Sequence, residues 1–410
     1  MPILDKISLL TLLISKGLLA KYMKRITGTY QISTVAGEKA KAFIPYSLPP
    51  ENPPFNFDEK LKALHLEALS TLEKLQVAAN LIPNIEWFIY GFVRKEAVIS
   101  SQIEGTQATL EDVLTFEATN ESKVPADVEE ICNYTNALEY ARNELSKPKG
   151  LPICSRLLCN IHEHLMKGAR GSNKQPGTIR ITQNWIGGSR PGNAVFVPPP
   201  PEHLGKLLTD LEHWIHSNDN LPPLIRAGLV HVQFETIHPF LDGNGRIGRL
   251  FITLLLEHWK ILSSPILYLS LSFKKHQQQY YQHLNQVRTK GDWEGWMAFF
   301  LLCVKQAGEN AIDTAYRLFA IQNQSRNAVA NHKSATMYAI RLFDCLANHP
   351  IITMPMAMKL LNTTKPTASK AIDGLCKAGI LKEITNKKRD RVYAYHNYLS
   401  VLSEDTQIIV

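Results

Sequence analysis

A short stretch of the chain, residues 236–249, concentrates side chains that can bind a phosphate group and move a proton. It contains His238, Asp242, Arg246 and Arg249. Histidine is the side chain that titrates nearest neutral pH and can serve as a general base. A carboxylate is a preferred ligand of Mg²⁺, and arginines three residues apart on a helix can place both planar guanidinium groups over the same turn. These types and spacings predict a phosphate-binding site with a base beside it.

Apolar residues at helical spacing on both sides predict that this stretch is a polar loop between two helices. The second helix would open at Gly243–Gly245, and its first turn would offer unpaired N–H groups and the positive end of the dipole to an anion. Glycines allow a phosphate to approach the backbone closely. A plain Gly-Asn turn between two core helices is the alternative, and it does not account for the histidine, the aspartate and the second arginine in register.

The whole chain of 410 residues is long enough for two or more domains, and its composition is typical of a globular protein. The net charge of +8 is uneven, since residues 351–400 hold nine Lys/Arg against three Asp/Glu. This basic segment favours a polyanionic partner. The six scattered cysteines lack CxxC spacing and predict reduced core thiols in a cytoplasmic protein. No apolar run approaches the length of a membrane span.

The N-terminal region, residues 1–57, is predicted to be an arm. The apolar run at residues 7–14 is short and lies between Asp5 and Lys16, so a signal peptide is not expected. Met23 is an alternative translation start. Residues 24–57 are punctuated by prolines and predict an irregular, extended course.

Helical periodicity then predicts helices from Asp58, at 85–103, 109–118, 126–146 and 151–168. The second of these stops at Glu104-Gly105. A negative charge at a helix C-terminus is opposed by the helix dipole, so Glu104 needs a compensating partner or full solvation.

The periodicity changes at residues 179–186 and 194–197, two short β-branched and aromatic runs joined by a glycine-rich link. They predict a β-hairpin. Because an exposed strand edge can pair with an extended peptide, this hairpin is interpreted as a substrate-docking flap. A plain connector is the alternative.

The C-terminal segment 346–410, which follows connecting helices at 307–345, has the pattern of a winged helix-turn-helix. Helices are predicted at 354–361 and 365–379, strands at 380–384 and 391–395, and a basic tip at 386–390. In a DNA complex, Thr367, Ser369 and Lys370 would face a groove, and the tip residues Lys387, Lys388 and Arg389 would contact phosphates. Winged helices also dock proteins, so the partner stays open at this point.

Residues 238–249 match the motif H-P-F-x-D-G-N-G-R-x-x-R of the Fic family at every fixed position. The predicted flap and the segment from Phe43 to Pro50 also resemble parts of this family, so the resemblance covers about residues 40–305. It implies a mainly α fold, with a Fic-type helical core, a β-hairpin flap and an appended C-terminal winged helix-turn-helix domain. The N-terminal helical region would span 58–135 and the catalytic core 136–306.

The resemblance implies protein adenylylation, in which AMP passes from ATP to a Tyr, Thr or Ser hydroxyl of a target protein or of the protein itself. His238 would be the general base, and Asp242 would hold Mg²⁺. The remaining implied roles concern ATP. The backbone of Gly243–Gly245 and the Asn244 side chain would bind the α- and β-phosphates, Arg246 the β-phosphate and Arg249 the γ-phosphate; Ile247 and Gly248 complete the ATP-binding turn, Phe240 anchors the loop, and Tyr281 would line the adenine pocket.

The segment Ser100–Gly105 resembles the inhibitory pattern of the same family, Ser/Thr-x-x-x-Glu-Gly/Asn. The resemblance implies that Glu104 forms an ion pair with Arg249 and so removes the group that should seat the γ-phosphate. Ser100 would help to fix this inhibitory helix.

Two other functions remain open on the sequence alone. One is a Fic-type transfer of another phosphate-containing group, including phosphorylation from ATP. The other is a DNA-binding regulator in which the nucleotide site acts as a sensor, as the basic C-terminal segment suggests. Whether the chain forms a homodimer also stays open.

Overall fold

A computed structural model describes residues 25–35, 37–80, 85–119, 124–168, 173–334 and 336–408. The predictions about a signal peptide and a start at Met23 fall outside these described residues. The chain divides into two compact units, each built from separate stretches. The first contains the residues up to His65, with 179–244 and 278–301, and the second contains 66–178, 245–277 and 302–410.

The described part of the chain is mainly helical, as predicted. Its helices are α1 (Glu59–Asn80), α2 (Ile85–Ile103), α3 (Leu110–Thr119), α4 (Ala126–Ser146), α5 (Ser155–Leu165), α6 (Pro201–His216), α7 (Pro223–Ile237), α8 (Asn244–His258), α9 (Ser270–Lys275), α10 (Gln277–Lys290), α11 (Trp293–Asn331), α12 (Met337–Cys345), α13 (Met354–Leu361), α14 (Lys365–Lys377) and α15 (His396–Leu402). The predicted boundaries at 135/136 and 306/307 fall inside α4 and α11, which are continuous there.

The prediction of an irregular N-terminal arm was wrong for residues 28–45, which form two strands, whereas the proline-rich residues 46–57 contain no helix or strand, as predicted. Strands β1 (Gly28–Val35) and β2 (Glu38–Pro45) pair antiparallel, with Gly28 opposite Pro45 and Val35 opposite Glu38. β1 is rich in β-branched and aromatic residues, which favour a pleated strand and outweigh the prolines that follow. β2 also receives the segment around Val197, whose carbonyl accepts a 2.9 Å hydrogen bond from the Phe43 N–H.

The hairpin predicted at 179–186 and 194–197 is reduced to one antiparallel bridge between Ile186 and Phe196. A 3-10 turn at Pro191–Asn193 lies between them. The ladder does not extend because backbone groups before it have other partners. The N–H of Arg180 donates to the Pro239 carbonyl at 2.9 Å instead of to a neighbouring strand. Residues 182–199 are called the flap segment below.

The core of the first unit is built around α7, whose residues from Leu224 to Ile237 are all buried. Trp296 packs on this helix, with its ring N–H donating to the Gly228 carbonyl at 2.9 Å. Glycine fits at position 228 because the Cβ of any other residue would lie 2.9 Å from the Phe300 ring. His231 and Tyr280 share a buried 2.8 Å hydrogen bond beside Trp296. These contacts fix the helix that leads to the polar loop.

In the second unit, α2 packs on α4 and α9. Near its C-terminal end the Gln102 side chain donates to the Thr406 carbonyl at 2.8 Å and accepts from Lys274 Nζ at 2.6 Å. The C-terminal residues therefore contact the helix that precedes Glu104.

The C-terminal segment contains the predicted helices α13 and α14 and the predicted strands β4 (Leu381–Glu383) and β5 (Val392–Tyr395). An additional strand, β3 (Ile351–Thr353), joins them in a three-stranded antiparallel sheet of order β3-β5-β4. β3 was not predicted from the sequence. The last helix of the segment is α15, whose Leu402 packs beside Gly91 of α2.

All six cysteines are free, but only Cys303 is buried, so the prediction of core thiols holds for that residue alone. Within the described ranges, none of the helices is both long and apolar enough to cross a membrane.

Candidate active site

The polar loop begins where α7 ends, at His238. This residue has a left-handed backbone conformation (φ 49°, ψ 61°), and its N–H donates to the Phe234 carbonyl at 2.9 Å. Such a conformation is uncommon for a residue with a side chain, and it persists where the surroundings enforce it. The turn directs the chain out of the buried helix, so the histidine stands at the entrance of the loop, as the sequence predicts.

The environment of His238 keeps its imidazole neutral. Burial, together with the nearby positive charges of Arg180 and Arg288, lowers its pKa to about 3, and the backbone of Glu235 partly opposes this shift. A neutral imidazole can accept a proton, and an imidazolium cannot. At physiological pH His238 is therefore in the form that a general base requires.

The loop is closed by Asn244, whose side chain differs from its predicted role. Its Oδ1 accepts from the Phe240 N–H at 2.9 Å, and its Nδ2 donates to the Phe240 carbonyl at 2.8 Å. Both polar atoms of the amide are thus occupied by the loop backbone, so the side chain fixes the loop instead of facing a phosphate. Phe240 itself is buried, as its predicted role as an anchor requires.

Asp242 lies at the exposed tip of the loop, and its Oδ1 accepts a 2.6 Å hydrogen bond from the Gly243 N–H. Gly243 has φ 75°, a conformation that glycine adopts without steric cost. No group of three or more His, Cys, Asp or Glu residues in the described chain could form a protein-only metal cage. A single exposed carboxylate fits Mg²⁺, which often takes one or two carboxylates together with substrate phosphates and water.

The first turn of α8 starts directly after this tip, at Asn244. The loop belongs to the first compact unit, and the residues from Gly245 onward belong to the second. The N–H groups of the first four helical residues, up to Ile247, have no partner within the helix. Ile247 is fully buried, so only its backbone could serve a ligand, and the N–H of Gly248 lies past the unpaired turn.

Arg249, one turn further along α8, is held by α2. Its Nη2 donates to Glu104 Oε1 at 2.7 Å and to the Ser100 carbonyl at 2.9 Å, and its Nε donates to Ser100 Oγ at 2.9 Å. This is the ion pair that the family resemblance implied. The carboxylate of Glu104 also fills the space beside Gly245, where an added Cβ would lie 2.2 Å from Oε1.

Glu104 occupies the C-cap of α2. Gly105 follows with φ 96°, its N–H donates to the Gln102 carbonyl at 3.1 Å, and the Thr106 N–H donates to the Ser101 carbonyl at 3.2 Å. This pattern of bonds is a Schellman motif. The cap fixes the backbone position of Glu104 at the end of the helix. Arg249 provides a positive charge that offsets the unfavourable interaction between the Glu104 carboxylate and the negative end of the helix dipole.

Arg246 also has an acidic partner, which sequence reasoning missed. Its Nη1 pairs with Glu130 of α4, and both side chains are largely buried. Glu130 Oε1 accepts a second hydrogen bond, from Thr106 Oγ1 at 3.0 Å. Glu130 is thereby linked to the residue that follows Gly105. Nothing in the spacing of the sequence signals this pair, because Glu130 and Arg246 are far apart along the chain.

A third acidic residue, Glu96, faces the same region. It is buried, and its carboxylate accepts hydrogen bonds from the backbone N–H and the hydroxyl of Ser270. Burial raises its pKa to about 7, and the hydrogen bonds to Ser270 and the charge of Arg249 oppose that rise. Glu96, Ser100 and Glu104 are spaced by four residues and so share one face of α2. That spacing was a signal in the sequence that could have indicated Glu96.

Tyr281, the predicted adenine contact, has 45% of its surface exposed on α10. Its neighbour Tyr280 is buried and is bonded to His231. The two rings lie 5.2 Å apart. Only Tyr281 of this pair has an accessible ring face.

Two family models match parts of the chain. Residues 63–143 match the model of the Fic/DOC family N-terminal domain, and residues 152–256 match that of the Fic/DOC family. The chain therefore contains a Fic/DOC family domain, preceded by the N-terminal domain of that family.

Curated relatives and a solved structure are also similar. The protein adenylyltransferase Fic of Drosophila grimshawi is 28% identical over 209 residues, which are 50% of this chain and 40% of that protein. A probable protein adenylyltransferase of Aquifex aeolicus (strain VF5) is 24% identical over 172 residues, 42% of this chain and 50% of that protein. The chain thus spans half or less of these relatives' length. The crystal structure of a Fic family protein from Desulfovibrio desulfuricans G20 has the same fold (TM-score 0.55, 23% identity, covering 84% of this chain and 98% of that chain).

Proposed function

We propose that this protein is a protein adenylyltransferase that transfers AMP from ATP to a Tyr, Thr or Ser hydroxyl of a target protein or of itself. The observation that carries the proposal is the loop from His238 to Gly243, in which a neutral base is followed along the chain by the first turn of α8. This order along the chain suits a reaction at a phosphate bound to the helix N-terminus. The named relatives support the same chemistry.

In the proposed reaction, the target hydroxyl oxygen attacks the α-phosphorus of ATP, and the bond from that phosphorus to the β-phosphate oxygen breaks. His238 takes the hydroxyl proton, and pyrophosphate leaves. Asp242 would hold Mg²⁺, which neutralises phosphate charge when it is bound. The N–H groups of Asn244 and Gly245 would stabilise the negative charge that develops on the phosphate oxygens, joined by that of Gly243 once it exchanges Asp242 Oδ1 for a phosphate oxygen. Tyr281 would contact the adenine.

The two arginines of the motif would bind the outer phosphates, Arg246 the β-phosphate and Arg249 the γ-phosphate. Each is now paired with an acid, Glu130 and Glu104 respectively. Productive ATP binding therefore requires that phosphate oxygens replace these carboxylates.

We further propose that Glu104 inhibits the enzyme within its own chain. The carboxylate bound to Arg249 carries the same charge as the γ-phosphate and occupies the same guanidinium nitrogen. ATP could then bind only with its α-phosphate out of line for attack. An ion pair of this kind acts as a switch, since breaking it exposes a binding group.

The test is to incubate Glu104→Gly protein with ATP labelled at the α- or the γ-phosphate. We expect strong self-labelling from α-labelled ATP and none from γ-labelled ATP. The double variant with Glu104→Gly and His238→Ala should not be labelled by either. Label from γ-labelled ATP alone would indicate phosphorylation instead. Absence of labelling with the protein itself and with a cell lysate would refute adenylyl transfer.

A second proposal concerns the C-terminal segment, which we propose binds DNA as a winged helix-turn-helix. It is supported by the exposed basic tip with Lys387, Lys388 and Arg389 and by the exposed Lys370 on α14. Duplex DNA from the protein's own promoter should bind with an affinity that falls steeply with salt, and Lys387→Ala with Lys388→Ala should reduce that salt dependence. Equal affinity of the wild type and the double variant at low salt would reject this interface.

A further inference from the structure

Arg180 is a buried arginine beside the motif that neither the sequence motif nor the proposed mechanism assigns. Its side chain is 1% exposed. Burial lowers its pKa to about 10, partly offset by Glu202, so it remains charged at neutral pH. Burying a guanidinium is costly unless its N–H groups are satisfied. The buried guanidinium therefore needs hydrogen-bond acceptors nearby.

The guanidinium of Arg180 binds three carbonyl oxygens from separate places. Nε donates to the carbonyl of His238 at 2.9 Å, Nη2 to that of Pro199 at 2.6 Å and Nη1 to that of Thr182 at 3.2 Å. Thr182 and Pro199 are the two ends of the flap segment. One side chain therefore ties both ends of the flap segment to the residue that would act as base.

Two neighbours of Arg180 strengthen this connection. Gln183 donates to the Pro198 carbonyl at 2.8 Å, which closes the base of the flap segment. Asn184 donates to the Phe240 carbonyl at 3.3 Å, which joins the flap segment to the motif loop a second time. The stem of the flap and the loop thus form one hydrogen-bonded body within the first compact unit.

Beyond this stem the flap segment offers an apolar surface. Trp185 and Val195 are exposed on its two arms. A protein chain that carries the target hydroxyl could lie against this surface in an extended conformation. The distance from such a chain to the imidazole would then be set by the stem.

We propose that Arg180 is a positioning residue that holds His238 and the flap segment in one fixed geometry, so that a peptide docked on the flap presents its hydroxyl to the base. This inference rests on the proposed transfer reaction. The three carbonyl bonds require the planar fork of arginine, which a lysine cannot reproduce. A small misplacement of the reacting groups costs much of the rate.

The charge of Arg180 has a separate effect on His238. The charged and polar groups that face the imidazole are Arg180, Arg288 of α10 and the backbone of Glu235. Arg288 lies 3.8 Å above the Phe196 ring of the flap segment and donates to Thr236 Oγ1 at 3.2 Å. Both cations disfavour the imidazolium. Lysine at position 180 would keep this effect and lose the fork, whereas methionine would lose both.

The experiment compares Arg180→Lys and Arg180→Met, each combined with Glu104→Gly. We expect kcat for transfer to a target or to the protein itself to fall about tenfold or more in both variants, because each loses the fork. NMR titration of His238 in the nucleotide-free protein should show a raised pKa in the methionine variant and little change in the lysine variant. Arg226→Met is the matched control. Arg226 is also a buried arginine bonded to carbonyl groups, those of Trp214 and Ile215, and its loss should lower stability without changing kcat or the His238 titration.

An unchanged kcat in Arg180→Met overturns the positioning role, as does an equal loss of kcat in Arg226→Met at matched stability. The outcome for the proposed function is distinguishable. If Glu104→Gly protein transfers no nucleotide while Arg180→Met shifts the His238 titration and alters the NMR signals of the flap segment, the adenylyl transfer fails and the fixed geometry stands.

Discussion

Glu104 and Arg249 form an ion pair in which the two partners differ in exposure. The Arg249 side chain is 2% exposed and that of Glu104 is 35% exposed, at an N–O distance of 2.7 Å. Glu104 can therefore leave into water at modest cost, whereas Arg249 cannot. When the carboxylate leaves, the buried guanidinium retains its bonds to Ser100 and needs a new anion. A phosphate is the natural replacement, so the pair is poised to exchange one anion for another.

Ser100→Ala is expected to release this inhibition in part. The variant removes the hydroxyl that accepts from Arg249 Nε and keeps the carbonyl bond. Loss of one hydrogen bond to a charged group weakens the closed state by about 1–2 kcal/mol. Self-labelling with α-labelled ATP should rise, but less than in Glu104→Gly. Ser101→Ala is the control, because the buried Ser101 hydroxyl has no hydrogen-bond partner within the described structure. A rise of equal size in both serine variants would contradict the prediction.

Glu130→Gln is expected to destabilise the protein and to make it respond more strongly to nucleotide. Breaking a buried ion pair costs about 3 kcal/mol, because the remaining charge stays buried. ATP with Mg²⁺ should raise the Tm of the variant more than it raises the Tm of the wild type, since the phosphates would bind Arg246 in place of Glu130. The measurement is the shift in Tm with and without nucleotide.

Glu257→Gln serves as the control for Glu130, since it breaks the half-buried pair with Arg142 in the same unit. It should lower Tm without enlarging the response to nucleotide. If both variants respond to nucleotide like the wild type, Arg246 has no part in binding it.

Glu96→Gln is expected to stabilise the protein at neutral pH. The folded pKa of Glu96, about 7, lies above the ordinary value of 4.5. The unfolded chain therefore loses its proton first, and stability falls as pH rises from about 4.5 to 7. Glutamine keeps one acceptor oxygen for the Ser270 N–H, and its NH2 can donate to the Ser270 hydroxyl, so the variant should remove that loss, a gain on the order of 3 kcal/mol at pH 7.5. Urea denaturation across this pH range measures the slope, and an unchanged slope would show that Glu96 does not titrate there.

His238→Ala is expected to change the acid side of the stability curve. The folded pKa is about 3 and the ordinary value is 6.5, so between these limits the unfolded state binds a proton that the folded state does not. Stability is unaffected by this group above about pH 6.5 and falls as pH drops toward 3. The variant should lose this component of acid destabilisation. Identical pH profiles for both proteins from pH 7 to 4 would argue against a folded-state pKa of about 3 for His238.

The local features of the site were predictable from the sequence, and most of its partners were not. Apolar spacing predicted the helices on either side of His238, and glycine spacing predicted the turn before α8. Such features depend on neighbours in the chain. The pairing of Arg246 with Glu130 depends on the packing of distant helices, which spacing does not encode.

At two other places the structure differs from the sequence-based prediction because two local interactions compete. Asn244 could face either a ligand or its own loop, and the Phe240 backbone groups take both of its polar atoms. In the N-terminal arm, the prolines after β2 do lie in irregular structure, but the β-branched and aromatic residues of β1 before them form a strand that was not predicted. The contact of Glu104 with Arg249 was expected only through family resemblance, since a charged residue at a helix end is as compatible with full solvation.

The hydrogen bond from Gln102 to the Thr406 carbonyl has a practical consequence for the bench. Two residues before Glu104, the helix is tied to the last part of the chain, so a purification tag added there changes a packing neighbour of α2. Basal activity measured on protein tagged or truncated near Thr406 would then include the effect of altering this contact.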